Sequence, residues 1–429
     1  MTLTAAPVPI VPSKSHPSSG FVRTLGPGLV TGAADDDPSG IATYSQVGAQ
    51  FGYEMGWTML LSLPLMTVIQ ALCARIGAVT GLGIAENLKR HYPREALTAS
   101  VLLLLSANVI NLGADLGAMG AAVAMLIGGP VLVYTVVLGV LSALLIILVP
   151  YARYALVLKW LTLSLFAYVG VVFAAHVDWP AMLRSTVVPS MALDKPHAMA
   201  LVAVLGTTIS PYLFFWQADQ EVEEGRRRHL RPLKFAPGHA EGELSRIRVD
   251  TGVGMIFSNL IALFIITATA ATLHASGHTD IQTSAQAAEA LRPIAGRFTF
   301  LLFACGIVGT GLLAAPVLAG SAAYAVAETF GWPCSLERPP REAKAFYVVI
   351  AAATVGGVAL NFVGLDPLRA LYWSAVVNGA LAAPLMALIM LIVSNPRIMG
   401  RLVAPRALLA VGWLATIVMA AATVAFVTV

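Results

Sequence analysis

Charged residues are scarce in this 429-residue chain: they make up 11% of it, against roughly a quarter of an ordinary soluble protein. Hydrophobic residues make up 58%, and the mean hydropathy is +0.80. These values exclude a soluble globular protein and predict an all-α integral membrane protein. The net charge of +4 requires no nucleic-acid partner, so the lipid bilayer is the partner that the composition implies.

Cysteine is also scarce, with three residues in the chain. Cys73 and Cys305 fall within apolar runs and Cys334 in a loop, without the spacing of a metal site, so we expect free thiols. The histidines fall in loops and at the ends of apolar runs, which argues against a histidine proton relay at the middle of the membrane. They are His16, His91, His176, His197, His229, His239, His274 and His278.

The chain does have a series of apolar runs, many of roughly 18–25 residues, the length that a membrane-spanning helix needs. We predict about eleven such helices, of which the first and the sixth are interrupted, and a short interfacial helix at 81–94. Residues 1–20 are rich in proline and serine and lack the apolar core of a signal peptide, which predicts a disordered cytoplasmic tail. The spans are predicted at about 24–53, 56–79, 97–126, 130–149, 155–176, 198–222, 250–273, 298–328, 345–363, 367–394 and 406–428.

The lysines and arginines concentrate in alternate connecting segments, above all in 223–248. Because basic loops stay in the cytoplasm, this pattern predicts a cytoplasmic N-terminus and an outer C-terminus in the inner (plasma) membrane of the cell. The basic run is then a topology anchor, with a regulatory or lipid-binding site as the alternative. We interpret the polar residues at 217–224 as a solvated helix end, with an acidic exit vestibule as the alternative.

Three consecutive aspartates at 35–37 interrupt the first apolar run and lead directly into Pro38, Ser39 and Gly40. A single aspartate at the centre of a membrane helix costs about 2.5–3.5 kcal/mol, so three beside a helix-breaking proline indicate a function. Carboxylate oxygens attract hard cations, and the break therefore predicts a cation site. The sixth run is broken in a similar way at 206–212, which includes Pro211.

Proline-interrupted helices five spans apart are typical of transporters built from two inverted repeats, with the substrate site at the breaks. We assign the first repeat unit to 21–176, the second to 198–394 and an additional span to 406–428. The alternative at either break alone is a packed proline kink. An intramembrane aspartyl protease with Asp37 and Asp115 is a further alternative, but its chemistry needs no paired breaks. A pure channel is disfavoured because broken midplane helices are typical of carriers.

Two stretches resemble the NRAMP family of divalent-metal transporters. GPGLVTGAADDDPSGIATYSQVGAQFGY is similar to the first span of that family, whose motif there is Asp-Pro-Gly-Asn, and GTTISPYLFFWQ is similar to its sixth span, with the motif Met-Pro-His. The resemblance covers nearly the whole chain past residue 21. It implies a LeuT-like inverted 5+5 repeat of about 11 transmembrane helices with helices 1 and 6 broken, and a transporter rather than an enzyme, with a metal ion as substrate and no cofactor.

The departures from the family motifs are informative. Asp37 and Pro38 match, but Gly40 replaces the asparagine ligand, Ser210 the methionine and Tyr212 the histidine. This combination resembles the NRAMP-related magnesium transporters, which carry Mg²⁺ and Mn²⁺ without evident proton coupling. Loss of the thioether favours a hard cation, and Mg²⁺ usually keeps several waters, for which the glycine is expected to leave room.

The third span also departs from the family, whose Asp-Leu-Ala-Glu pattern here begins at Asp115 and ends at Ala118, so that one acidic group of its proton pathway is missing. Asn108, Asn111 and Asp115 lie at i, i+3 and i+7 on one helix face. They either hold waters of the ion or join helices. The aspartates at 35 and 36 either attract the ion or hydrogen-bond the backbone of the sixth span.

We expect Asp37 to be the anionic ligand of the ion, with Ser210 and the backbone carbonyl of Thr207 completing the protein side. The candidate metal-site residues are Asp37, Ser210, Thr207, Gly40, Asp36 and Asn378. The candidates around them and along the pathway are Ser39, Thr208, Tyr212, Asn108, Asn111 and Asp115.

The sequence thus predicts a carrier that imports partly hydrated Mg²⁺ and Mn²⁺ by alternating access, driven mainly by the membrane potential and not strictly coupled to protons. The alternative is a proton-coupled Mn²⁺/Fe²⁺ transporter of the ordinary family type. The sequence allows a monomer and leaves the oligomeric state open.

Overall fold

The computed structural model describes residues 26–149, 163–192 and 194–428. These residues form fifteen helices of eight residues or more, with shorter helices at Ser284–Ala288, Arg292–Ala295 and Pro396–Met399. The fifteen are α1 (Pro27–Asp35), α2 (Pro38–Phe51), α3 (Trp57–Thr80), α4 (Ile84–His91), α5 (Arg94–Ile127), α6 (Val131–Leu148), α7 (Phe166–Ala174), α8 (Trp179–Val187), α9 (Lys195–Thr208), α10 (Pro211–Arg227), α11 (Ala240–Thr272), α12 (Thr299–Phe330), α13 (Lys344–Leu360), α14 (Pro367–Ser394) and α15 (Arg406–Thr428).

The predicted spans agree closely with these helices. Nine helical stretches of the described residues are long and apolar enough to cross a membrane, or ten if the pair Leu163–Ala174 and Trp179–Val187, bent by 119°, is one span. The first predicted span is divided between α1 and α2, and the short helix predicted at 81–94 is α4. The tail predicted at 1–20 and the start of the span predicted at 155–176 lie outside the described residues.

The sequence explains why the first and sixth spans break. Proline begins both α2 and α10, at a first-turn position where its missing N–H costs no hydrogen bond but where the preceding helix cannot continue. Asp37 caps α2 by accepting a hydrogen bond from the N–H of Gly40, at 2.7 Å. The two predicted interruptions are therefore confirmed as α1/α2 and α9/α10.

Glycines let the broken spans pack closely against their neighbours. A Cβ on Gly32 of α1 would overlap the backbone of Gly254 in α11, and a Cβ on Gly206 of α9 would overlap the backbone of α14 at Gly379. Small residues are the usual means by which membrane helices approach each other, because lipid offers no hydrophobic drive for their association. These contacts place both breaks inside the bundle.

The outer helices carry the lipid-facing surface. Large apolar side chains are exposed along α6, α13 and α15, as Val137, Val355 and Ile417 illustrate. Polar side chains are instead buried around the two breaks. We call the end of the bundle that holds α4, the last turn of α10 and residues 228–239 the basic end, because it carries a cluster of arginines and lysines.

Candidate metal-ion site

Asp37 is the centre of the buried polar cluster and is 1% exposed. Besides its bond to Gly40, its carboxylate accepts hydrogen bonds at Oδ2 from Nδ2 of Asn111 at 3.0 Å and from the hydroxyl of Tyr212 at 3.1 Å. Three donors from α2, α5 and α10 thus fix one carboxylate. Bonds to an ionised group of this kind are the stronger ones in proteins, so they orient the oxygens firmly.

The cluster extends from Asp37 to a fourth helix, α14. Asn111 accepts a hydrogen bond at Oδ1 from the hydroxyl of Ser374, at 2.8 Å. Asn108, one turn earlier in α5, donates instead to the carbonyl of Leu318 and the hydroxyl of Ser321 in α12, at 2.9 and 2.7 Å. The two roles predicted for this helix face are therefore divided: Asn108 joins helices, and Asn111 belongs to the candidate site.

Asp35 and Asp36 face a different helix. Both accept hydrogen bonds from the hydroxyl of Ser258 in α11, at 2.7 Å to Oδ2 of Asp35 and 3.1 Å to Oδ1 of Asp36. Their hydrogen bonds among the described residues go to α11 and not to the sixth-span backbone, which was one of the two expectations for them. The hydrogen bonds of the three carboxylates therefore lead to different helices.

At the second break, the polar side chains bond locally. The hydroxyl of Ser210 donates to the carbonyls of Gly206 and Thr207, both at 2.8 Å, and Thr208 donates to the carbonyl of Val204 at 2.9 Å. A hydroxyl that donates still has lone pairs, so Ser210 remains able to coordinate a cation. Thr208 contributes to its own helix.

The space expected beside Gly40 is largely filled. A Cβ at that position would lie 3.2 Å from Oγ1 of Thr207, 3.3 Å from the carbonyl oxygen of Asp35 and 3.4 Å from the ring of Tyr44. The glycine therefore serves the close approach of α2 to α9 in this structure, and the expectation that it leaves an opening is wrong for this conformation.

The remaining predicted residues lie buried around the same cluster. Asp115 is buried in α5, and neither oxygen of its carboxyl group has a hydrogen-bond partner in the described residues. Asn378 is 1% exposed in α14, and its Nδ2 has no hydrogen-bond partner in the described residues. No three His, Cys, Asp or Glu side chains converge as a closed metal cage in the part of the chain that the structure describes.

The end of the sixth span corrects one interpretation. Residues 217, 219, 221 and 223 are buried, so this segment is not a solvated helix end. Gln217 accepts a hydrogen bond from Thr31 of α1. Glu221 forms an ion pair with Arg246 of α11 at 2.5 Å, and Glu223 accepts from the hydroxyl of Tyr324 in α12. Neighbouring helices cover this polar face of α10.

Three residues that form hydrogen bonds in or around the site were not predicted from the sequence. Ser374 lies one turn before Asn378, and that i, i+4 spacing was a usable signal. Ser258 stands in an apolar run without a motif. Asp250 of α11 accepts hydrogen bonds from the N–H groups of Gly26, Gly28 and Leu29 at 2.8, 2.8 and 3.1 Å, and thereby caps α1. Nothing near Asp250 in the sequence indicates this contact.

Comparisons with known proteins agree with this geometry. The family model described as "Natural resistance-associated macrophage protein-like" matches residues 28–429. A divalent metal cation transporter, MntH, of Klebsiella pneumoniae is 27% identical over 400 residues, which are 91% of this chain and 90% of that protein. Such relatives are transporters and not enzymes.

Solved structures show the same fold. The manganese transporter of Eremococcus coleocola, in complex with an aromatic bis-isothiourea compound, superposes with a TM-score of 0.73 at 16% identity, covering 95% of this chain and 87% of that one. The inward-facing form of Mhp1, a transporter of the LeuT-like fold class, matches with a TM-score of 0.55 at 14% identity, covering 93% and 90%. The chain therefore belongs to the Nramp family and is a multi-pass membrane transporter of divalent metal cations.

Proposed function

We propose that this transporter imports Mg²⁺ and Mn²⁺, partly hydrated, by alternating access, with Asp37 as its anionic ligand. The observation that carries the proposal is the kind of group that contacts Asp37: the hydrogen-bond partners of its carboxylate in the described residues are an amide, a phenol and a backbone N–H, with no thioether or imidazole among them, and the hydroxyl of Ser210 stands at the facing break. Hard divalent cations prefer carboxylate, carbonyl, hydroxyl and water, whereas a thioether favours transition metals.

The driving force that we propose is the membrane potential. Two charges moving through 100 mV release about 4.6 kcal/mol, which suffices for uptake without a second ion. Orientation follows from the basic end: because arginines and lysines remain cytoplasmic, we place that end, and the N-terminus, inside the plasma membrane and the C-terminus outside. The units 21–176 and 198–394 are the two repeats that we propose to move relative to each other around the breaks.

A proton-coupled Mn²⁺/Fe²⁺ transporter is the second candidate, and one observation favours it. Asp115 is buried near Asp37 and is a carboxyl group able to carry a proton. Another observation argues against proton coupling. The partner of Asp37 at the second break is Tyr212 rather than a histidine, and a phenol stays protonated near neutral pH, so it does not exchange a proton there.

Uptake into proteoliposomes with internal pH recorded separates these candidates. We expect Mg²⁺ and Mn²⁺ influx that increases with an inside-negative potential and produces no matching acidification. Acidification in proportion to Mn²⁺ influx, together with no Mg²⁺ influx, would refute the proposal in favour of the second candidate.

Two caps provide a matched test of the ligand. Asp37 and Asp178 both cap helices, α2 and α8, through a backbone N–H, and asparagine caps about as well as aspartate. Asp37→Asn should therefore keep the fold and abolish influx, whereas Asp178→Asn should leave influx unchanged. Equal influx in both variants would mean that Asp37 does not bind the ion.

Selectivity tests the second break. Ser210→Met, alone and with Gly40→Asn, should shift preference from Mg²⁺ toward transition metals such as Mn²⁺ and Cd²⁺. The single variant is needed because an asparagine at position 40 must displace the Thr207 side chain. Unchanged selectivity in both would show that these positions do not touch the ion.

A further inference from the structure

Two acidic side chains meet at the basic end, away from the central site. Asp219 of α10 is 3% exposed, and its Oδ1 lies beside the carboxylate oxygens of Glu328, near the end of α12, with all three oxygens around the position that a Cβ on Gly83 would take. Two carboxylates repel each other in a buried environment. Arg226 is close enough to act on Asp219 but forms no ion pair with it, so the contact favours a proton or a metal ion between the two groups.

The surroundings hold the pair in place. Glu328 accepts hydrogen bonds from the backbone N–H groups of Gly83 and Glu86, at 2.9 and 3.0 Å, at the start of α4. Gly83 itself makes the contact possible, because a Cβ there would overlap carboxylate oxygens of both Asp219 and Glu328. The absent side chain leaves room for two carboxylates at one point.

One oxygen of the pair has no partner. Oδ2 of Asp219 is buried and makes no hydrogen bond within the described residues, although its other oxygen is directed at Glu328. No lysine or arginine of these residues lies within 4.0 Å of either carboxylate, whereas Glu221 at the same end has Arg246 at 2.5 Å. The ammonium of Lys89 is nearby but bonds to the backbone carbonyl of Glu328, at 3.0 Å.

The pair lies on the same face of α10 as the central site. Tyr212, Asp219 and Glu223 are at i, i+7 and i+11, which places them along one side of the helix. Tyr212 donates to Asp37, and Asp219 is about 10 Å further along the helix axis toward the basic end. Asp219 therefore lies between the central site and the basic end along the axis of α10.

We propose that Asp219 and Glu328 form a second divalent-cation site at the basic end, which takes Mg²⁺ or Mn²⁺ with waters completing the coordination. Mg²⁺ is usually bound by one or two carboxylates and keeps several waters, which suits a pair and not a cage. The free Oδ2 of Asp219 supplies a further ligand atom. The choice of these ions rests on the proposed function; the site itself rests on the two carboxylates.

Mn²⁺ binding to the purified protein in nanodiscs, counted by electron paramagnetic resonance, tests this site. Asp37→Asn removes the central site and should leave binding of a single Mn²⁺. Adding Asp219→Asn should weaken that remaining binding by about tenfold or more. The amide still reaches Glu328 as a donor, so the fold is kept. Adding Glu241→Gln instead, an exposed acidic residue at the start of α11, should change nothing.

The outcomes separate this site from the proposed function. If the wild type binds one Mn²⁺ and Asp37→Asn binds none, the second site is refuted and the central one stands. If binding persists in Asp37→Asn and Asp219→Asn leaves it unchanged, the second site is again refuted. If Asp37→Asn does not reduce wild-type binding at all but Asp219→Asn does, the second site stands and the central ligand is wrong.

Anomalous scattering from Mn²⁺ in crystals of the wild type provides a measurement that needs no variant. A peak between the carboxylates of Asp219 and Glu328 supports the site. A peak beside Asp37 without one at Asp219 refutes it. Gly83→Ala, whose methyl group would occupy the space between the carboxylates, should remove the peak at the basic end and keep the one beside Asp37.

Discussion

Asn111 and Asn108 stand one turn apart in α5 but contact different partners, and this difference gives a sharp prediction for Asn111→Ala. The substitution removes the hydrogen bond that Nδ2 donates to Asp37 at 3.0 Å and the acceptor of the Ser374 hydroxyl at 2.8 Å. A hydrogen bond to a charged group contributes about 1.5–3 kcal/mol. Without it, the carboxylate of Asp37 is less firmly oriented toward an ion.

The expected effect on binding follows from that loss. Groups that orient a metal ligand typically contribute a factor of about 10–100 in affinity, which corresponds to about 1.4–2.8 kcal/mol. Asn111→Ala should therefore raise the dissociation constant for Mn²⁺ by about 10–100-fold, measured by isothermal titration calorimetry in nanodiscs.

Asn108→Ala is the matched control. It removes two hydrogen bonds between α5 and α12, each about 0.6 kcal/mol on average between membrane helices. Thermal unfolding followed by tryptophan fluorescence should show a stability loss of about 1 kcal/mol, with Mn²⁺ affinity changed less than about threefold. Equal losses of affinity in the two variants would refute the division of roles between these asparagines.

Two further substitutions test how the broken helices are held. Asp250→Ala removes the cap of α1, worth about 0.5–2 kcal/mol, and should accelerate hydrogen exchange in α1 by a factor of about 2 to 30 while α3 is unaffected. Unchanged exchange in α1 would contradict the capping role. Gly206→Ala places a methyl group against the backbone of α14. It should lower the free energy of unfolding by about 1–3 kcal/mol or more, measured by thermal unfolding. Gly225→Ala is its control, since a Cβ there has open space, and equal destabilisation by both would argue against close packing at Gly206.

The sequence was a good guide to what local chemistry determines. Pro38 and Pro211 begin the helices that follow the two breaks, where the missing N–H costs no hydrogen bond. Proline alone was not a sufficient signal, because Pro64, Pro316 and Pro384 lie inside continuous helices; the polar residues beside the two prolines distinguished the breaks. Most long spans were predicted to within a few residues, as for α5, predicted at 97–126 and found at Arg94–Ile127. The exception is α11, which was predicted to begin at 250 and extends over Ala240–Thr272. Asp37, predicted as the anionic ligand, lies at the centre of the buried polar cluster, and its role as ligand stays a prediction.

Contacts between residues far apart in the chain could not be predicted from the sequence. The polar end of α10 was interpreted as solvated because its residues are hydrophilic, but α4, α11 and α12 cover it, and only the folded chain brings them there. The cap that Asp250 provides to α1 joins residues more than 220 positions apart. The free volume beside a residue also cannot be predicted from the sequence. The volume beside Gly40 depends on where Thr207 and Tyr44 lie in the folded chain, and a comparison of motifs does not give their positions.

The cap on α2 gives the two breaks opposite electrical character. Each break brings the carbonyl end of one helix, with a partial negative charge of about one half, close to the amide end of the next, with a similar positive charge. At the first break the carboxylate of Asp37 neutralises the amide end of α2. At the second break Ser210 turns toward carbonyls and leaves the amide end of α10 without a side-chain cap. In the site that we propose, the field that attracts a cation is therefore asymmetric: it is strongest beside the carboxylate of Asp37, whereas the second break offers only neutral ligands.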